Sequence, residues 1–157
     1  MATKLTREGW AAEQSEFVNG YWELREDPVA FAVNGTMTGD ISLVANMLEA
    51  WLPATGSRFL LRGARLTIVC TTTCTGTGAD VLFLCDQGLL TKVIAPLAAI
   101  SRSMPAGTVV GDPIEFNLGA GIYSQAVSQR LAIAANGTIG TGVLRVTGIL
   151  YGDEVIG

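Results

Sequence analysis

Two cysteines separated by three threonines, Cys70 and Cys74, with Cys85 farther along, are the side chains of this chain best suited to metal binding or nucleophilic chemistry. The chain contains no histidine, which removes the commonest general base and the commonest metal ligand together. A tetrahedral zinc site would need a carboxylate such as Asp80 or Asp86 to complete it, an unusual ligand set. Free cysteine is among the most buried residue types, so the three thiols read as small core-filling groups. Serine catalysis requires a base, and neither Lys4 nor Lys92 stands in a Ser-x-x-Lys pair. Asp80, Asp86, Asp112 and Glu115 could act as acid and base only if the fold paired them. Asp86-Gln-Gly88 and Asp112-Pro113 read instead as turns carrying exposed acids. Gly76-Thr-Gly78 follows a predicted strand, but Val81 occupies the place of the third glycine of a dinucleotide loop and another strand follows. The expectation is a protein that is not an enzyme and holds no cofactor and no metal.

The composition bounds the remaining classes. A chain of 157 residues makes one ordinary domain with a core of its own. Hydrophobic residues make up 49% and charged residues only 15%, where about 25% charged is usual. A monomer this apolar exposes large greasy patches, so the chain is expected to bury surface against copies of itself or against another protein, oligomerisation being the simpler case. The net charge of −4 disfavours nucleic acid, which demands clustered Lys and Arg. The longest apolar run, Val93 to Ile100, is too short to span a bilayer, and the opening MATKLTREGW lacks a signal peptide's hydrophobic region. Synthesis in a cytosol, reduced thiols and no membrane partner follow as expectations. An odd cysteine count argues the same way against a disulfide framework.

Most of the chain reads as β-strands. Ile114, Phe116 and Leu118 alternate with Glu115 and Asn117; Leu131, Ile133 and Ala135 follow Arg130; and Leu144, Val146 and Leu150 alternate with Arg145 and Thr147. In SRFLLRGARLTIVC the large apolar residues change from odd to even positions across Gly63, which predicts a β-bulge. Val81 to Cys85 and Val93 to Ile100 are apolar on both parities, as in strands covered on both faces or lying at an interface. Asn34-Gly35, Gly88, Pro105-Ala-Gly107, Gly119-Ala-Gly121, Asn136-Gly137 and Gly140-Thr-Gly142 read as turns. Between Gly39 and Pro53, Ile41, Val44, Leu48 and Trp51 fit a helical stripe capped by Asp40, although Ile41 to Val44 also reads as a strand. About eight antiparallel strands are most economically an all-β two-sheet sandwich of the jelly-roll type over residues 29–157.

Residues 1–28 stand apart. Residues 1–30 hold nine of the 24 charged side chains, together with Trp10, Phe17, Tyr21 and Trp22. Gly9, Gly20 and Pro28 interrupt any long helix, so the segment reads as an N-terminal arm with at most one short helix. Its aromatics either fold back on the domain or anchor on a neighbouring subunit. Arg58, Arg62 and Arg65 cluster on one predicted strand, where they form a solvated face or pair with acids of a partner or of the arm.

RLAIAANGTIGTGVLRVTGILYGDE, with GDPIEFNLGAGIYS and the arm, resembles the jelly-roll decoration (cement) and head-fibre proteins of tailed bacteriophages. The resemblance is one of pattern over about residues 30–155 and contains no diagnostic motif. It implies a homotrimer on the outer surface of a capsid, made in the host cytoplasm and carried on the virion. The arm would contact the major capsid protein, with Trp10, Phe17, Tyr21, Trp22, Arg58 and Arg62 as interface residues. A second reading is a carbohydrate-binding sandwich of a phage tail or fibre, with Tyr123, Tyr151 and Trp51 as its aromatic candidates.

Overall fold

The fold is described from a computed structural model covering residues 15–18, 21–24, 29–75, 81–86, 93–100 and 103–156. Its strands are β1 (Ser15–Val18), β2 (Tyr21–Leu24), β3 (Val29–Asp40), β4 (Leu48–Trp51), β5 (Ser57–Thr72), β6 (Val81–Asp86), β7 (Val93–Ala99), β8 (Val109–Tyr123), β9 (Leu131–Ala134) and β10 (Thr138–Ile156). One 3-10 turn, Val44–Asn46, separates β3 from β4.

The last eight strands pair in nested fashion: β3 with β10, β4 with β9, β5 with β8, and β6 with β7, all antiparallel. The chain therefore behaves as one long hairpin whose tip is β6–β7. Rolling that hairpin places β5 against β10 and β6 against β9, giving sheets ordered β3-β10-β5-β8 and β4-β9-β6-β7. This is a two-sheet jelly roll, the sandwich expected from the strand count.

Strand alternation fills the space between the sheets. Val33, Met37, Leu66, Ile68, Leu144, Val146 and Leu150 from the long sheet meet Leu82, Leu84, Leu131 and Ile133 from the short one. At one end Trp51 of β4 stacks on Phe31 of β3, with centroids 4.2 Å apart, and tilts against Phe59 of β5 at 5.7 Å. One ring thus ties both sheets together. The short sheet is apolar on its other face as well, where Met47, Phe83, Cys85, Ala132 and Ala134 form a second buried cluster. That second cluster explains why Val81 to Cys85 are apolar on both parities.

The parity change in β5 is a bulge at Arg62. Leu61 and Gly63 oppose Gly152 and Tyr151, consecutive residues of β10, so Arg62 is the extra residue. Phe59 and Leu61 before it, and Ala64, Leu66, Ile68 and Cys70 after it, all face one core.

Several expected turns are strand instead. Asn34-Gly35 lies inside β3, where a Cβ on Gly35 would overlap Leu48 of the opposing sheet. Asp112-Pro113 and Gly119-Ala-Gly121 lie within β8, at or beside its register shifts, and Gly140-Thr-Gly142 lies at an irregularity in β10. A bulge leaves its extra residues unpaired, and glycine supplies the positive φ found there at Gly119, Gly121 and Gly140. Asn136-Gly137 and Pro105-Ala-Gly107 are turns as expected, whereas Gly76, Gly78 and Gly88 fall outside the described residues.

The helical stripe after Gly39 reduces to the single 3-10 turn, and Leu48 and Trp51 belong to β4. Asp40 still acts locally: its Oδ1 accepts from the Ser42 amide at 3.0 Å and the Ser42 hydroxyl at 2.6 Å, which holds its carboxyl below the ordinary range. The described part of the N-terminal segment forms a hairpin, β1 with β2, and Phe17 stands opposite Trp22 in its register; residues 1–14, where a short helix could also fall, lie outside the described residues.

Gly148 has φ +144° and lies between β3 and β5, where an added Cβ would press on the Arg65 carbonyl and the Leu66 Cα. Gly119 has φ +62° with open space around it. Gly148→Ala is expected to cost at least about 2 kcal/mol and Gly119→Ala about 1 kcal/mol, read from denaturant midpoints at constant m.

Candidate functional site

The outer face of the long sheet carries the polar constellation that the fold assembles. The bulge turns Arg62 outward from β5, and its Nε donates to Asp153 Oδ2 of β10 at 2.9 Å, with both side chains about one-third exposed. One strand over, Arg65 Nε lies 3.4 Å from Glu115 Oε2 of β8. Both arginines therefore pair with acids of neighbouring strands in the chain's own sheet. Arg58 is half-buried, and its Nε has no hydrogen-bond partner.

Between β5, β8 and β10 lies an open recess of about 580 Å³, lined by Arg62, Gly63, Glu115, Phe116, Asn117 and Tyr151 among others. Two irregularities shape it. The β5 bulge displaces Arg62, and β8 bulges over residues 118–121 between the partners of Gly63 and Leu61. Gly63 forms its floor, where a Cβ would come within 2.7 Å of the Phe116 carbonyl oxygen. The lining offers a guanidinium, a carboxylate, an amide and a phenol, a set suited to orienting a polar ligand by hydrogen bonds.

The aromatic candidates separate under this geometry. Tyr151 opposes Gly63 and Tyr123 opposes Leu60, so both sit along β5 on its two sides, and Tyr123 is half exposed. Trp51 is buried in the inter-sheet clamp and presents no face to a ligand. The backbone of Phe17, Tyr21 and Trp22 lies in the β1–β2 hairpin, while Trp10 falls outside the described residues.

The carboxylates do not converge where they are described. Asp86 is fully buried at the end of β6, contrary to the exposed turn expected of it, and accepts from the Gln125 amide at 2.9 Å. Glu115 is exposed in the other sheet. Asp80 and the side chain of Asp112 lie outside the described residues. Cys70, Cys74 and Cys85 are free and buried, as core-filling residues should be. Burial, reinforced by Asp86, pushes the Cys85 thiol up to about 11. Among the described residues no group of three or more Cys, Asp or Glu side chains is placed to hold a metal ion.

No protein-family model, curated protein or solved structure matches the chain significantly. The recess was not visible in the sequence as a site. Its only signals were the parity change at Gly63 and the paired glycines Gly119 and Gly121, which mark bulges on neighbouring strands.

A double-mutant cycle over Arg62→Ala and Asp153→Ala is expected to return a coupling of about 0.5–1 kcal/mol in urea unfolding, as for a partly exposed pair. An uncoupled pair would show that the bulge alone holds Arg62 in place.

Proposed function

We propose that this chain is a virion structural protein, a decoration (cement) protein on the outer surface of a tailed-phage capsid. It acts there as a homo-oligomer, most simply a trimer. The observation that supports this reading is the β1–β2 hairpin, which among the described residues forms a two-stranded sheet of its own, apart from the two sheets of the sandwich. A closed jelly roll with a filled interior supplies a rigid body, and the aromatic-rich segment before it supplies an attachment element. Exposed Leu43, Val44, Leu52, Val93, Val109 and Ile156 provide apolar surface for contacts between copies.

Buried aromatics dominate interface energetics at about 2 kcal/mol or more each. Trp10→Ala and Trp22→Ala in the full chain should therefore each weaken binding to capsids stripped of decoration protein by at least about tenfold. A chain beginning at Pro28 should stay β-rich and oligomeric yet fail to bind. Variants that saturate the shell as the wild type does, or light scattering at the 16.4 kDa monomer mass, would sink this reading.

The recess favours a second reading, a carbohydrate-binding sandwich of a tail or fibre, in which Tyr151 would face a sugar ring and Arg62, Asn117 and Glu115 would bond its hydroxyls. Titration with a panel of neutral and acidic oligosaccharides tests it. This reading requires saturable binding that Tyr151→Ala abolishes without loss of fold.

A further inference from the structure

Cys70 and Cys74 leave a geometric question that core filling does not answer. Their sulfurs are 3.4 Å apart, a direct thiol–thiol contact in a fully buried site. Both thiols turn toward one acceptor, the Thr72 carbonyl, at 3.1 Å from Cys70 and 3.7 Å from Cys74. The backbone holds the two residues in place from one side. Cys70 donates its amide to the Thr108 carbonyl and accepts from the Gly107 amide, while Cys74 and Met104 exchange both bonds of an isolated bridge. From the other side, Cys74 rests on the bare backbone of Gly142, where a Cβ would overlap it.

We propose that Cys70 and Cys74 form an oxidative modification site, which a small disulfide such as glutathione disulfide converts to an intrachain disulfide. One cysteine thiolate attacks a sulfur of the small disulfide, forming a mixed disulfide and releasing one glutathione thiolate. The second cysteine thiolate attacks the protein sulfur of that mixed bond and releases the other glutathione. Two protein thiols lose two protons and two electrons, and the small disulfide gains both. The sulfurs need to close from 3.4 Å to about 2.05 Å to form the bond.

Access comes through the turn at residues 104–108, whose Pro105, Ala106 and Gly107 are exposed. That turn covers the pair with only a handful of backbone bonds, so opening it locally leaves the sandwich intact. Burial, with the neighbouring Cys70, pushes the Cys74 thiol up to about 12, so the attacking thiolate is scarce at neutral pH and the reaction is slow. Its rate rises with pH below that value. The site does not depend on the proposed function, although a protein made in a reducing cytosol and released from the cell would meet the required oxidant.

The test uses the full wild-type chain, reduced, freed of reductant and incubated with glutathione disulfide under native conditions. The expected result is an intact mass lower by two hydrogens, a peptide map joining Cys70 to Cys74, and one remaining thiol titratable in denaturant. Cys85→Ser should lose the same two hydrogens and keep no thiol. Cys74→Ser should lose none. Three titratable thiols after prolonged oxidation, a link through Cys85 or between chains, a stable glutathione adduct alone, or a bond formed only in denaturant would each overturn the proposal.

Discussion

One inserted residue governs the long sheet. β5, 16 residues long, is bonded to β10 from end to end and to β8 from Leu60 to Val69, and it contributes Phe59, Leu61, Ala64, Leu66, Ile68 and Cys70 to a single core. A regular strand of that sequence would turn Phe59 and Leu61 to the face opposite Ala64, Leu66, Ile68 and Cys70, because side chains alternate with period two. The bulge at Arg62 restores the facing by spending one residue on a local kink. It also aims the guanidinium outward, where Asp153 receives it, and leaves Gly63 as the low point of the outer surface. Core facing, ion pair and recess are consequences of the same insertion.

The nested pairing has a comparable reach. Because β3 pairs with β10 and β4 with β9, residues near the two ends of the sandwich sequence share both sheets, and a break at either end exposes the partner strand. Trp51 joins the sheets where this closure is made, between Phe31 and Phe59. The short sheet differs in being apolar on both faces, with Leu82 and Leu84 on one side and Phe83 and Cys85 on the other. Its edge strand β7 carries Pro96, a residue that cannot donate to a further strand and so blunts that edge.

The outer face of the long sheet and the β1–β2 hairpin are the two features not consumed by the sandwich. The first offers matched charges and a polar recess. The second is a pair of strands satisfied by each other, with aromatic residues at its facing positions. The attachment and the ligand-binding readings divide along this line, and they make different residues decisive.

Local patterning alone determined the class of the fold. Alternation in β8 and β10, the double-parity run in β6 and the parity change across Gly63 were legible because strand periodicity and its interruption are properties of neighbouring residues. Tertiary context decided the rest. Gly119-Ala-Gly121 and Asn34-Gly35 have turn chemistry, yet lie in strands: the first are the unpaired residues of the β8 bulge, and the second pair with Thr147 and Val146 of β10. Asp86 reads as a surface acid and is buried beside the Gln125 amide, and Trp51 reads as a ligand aromatic and is a clamp. The pairing of Arg62 with Asp153, 91 positions apart, and the recess between strands distant in the chain follow from register. Register depends on every strand of the sheet at once, which no local pattern encodes.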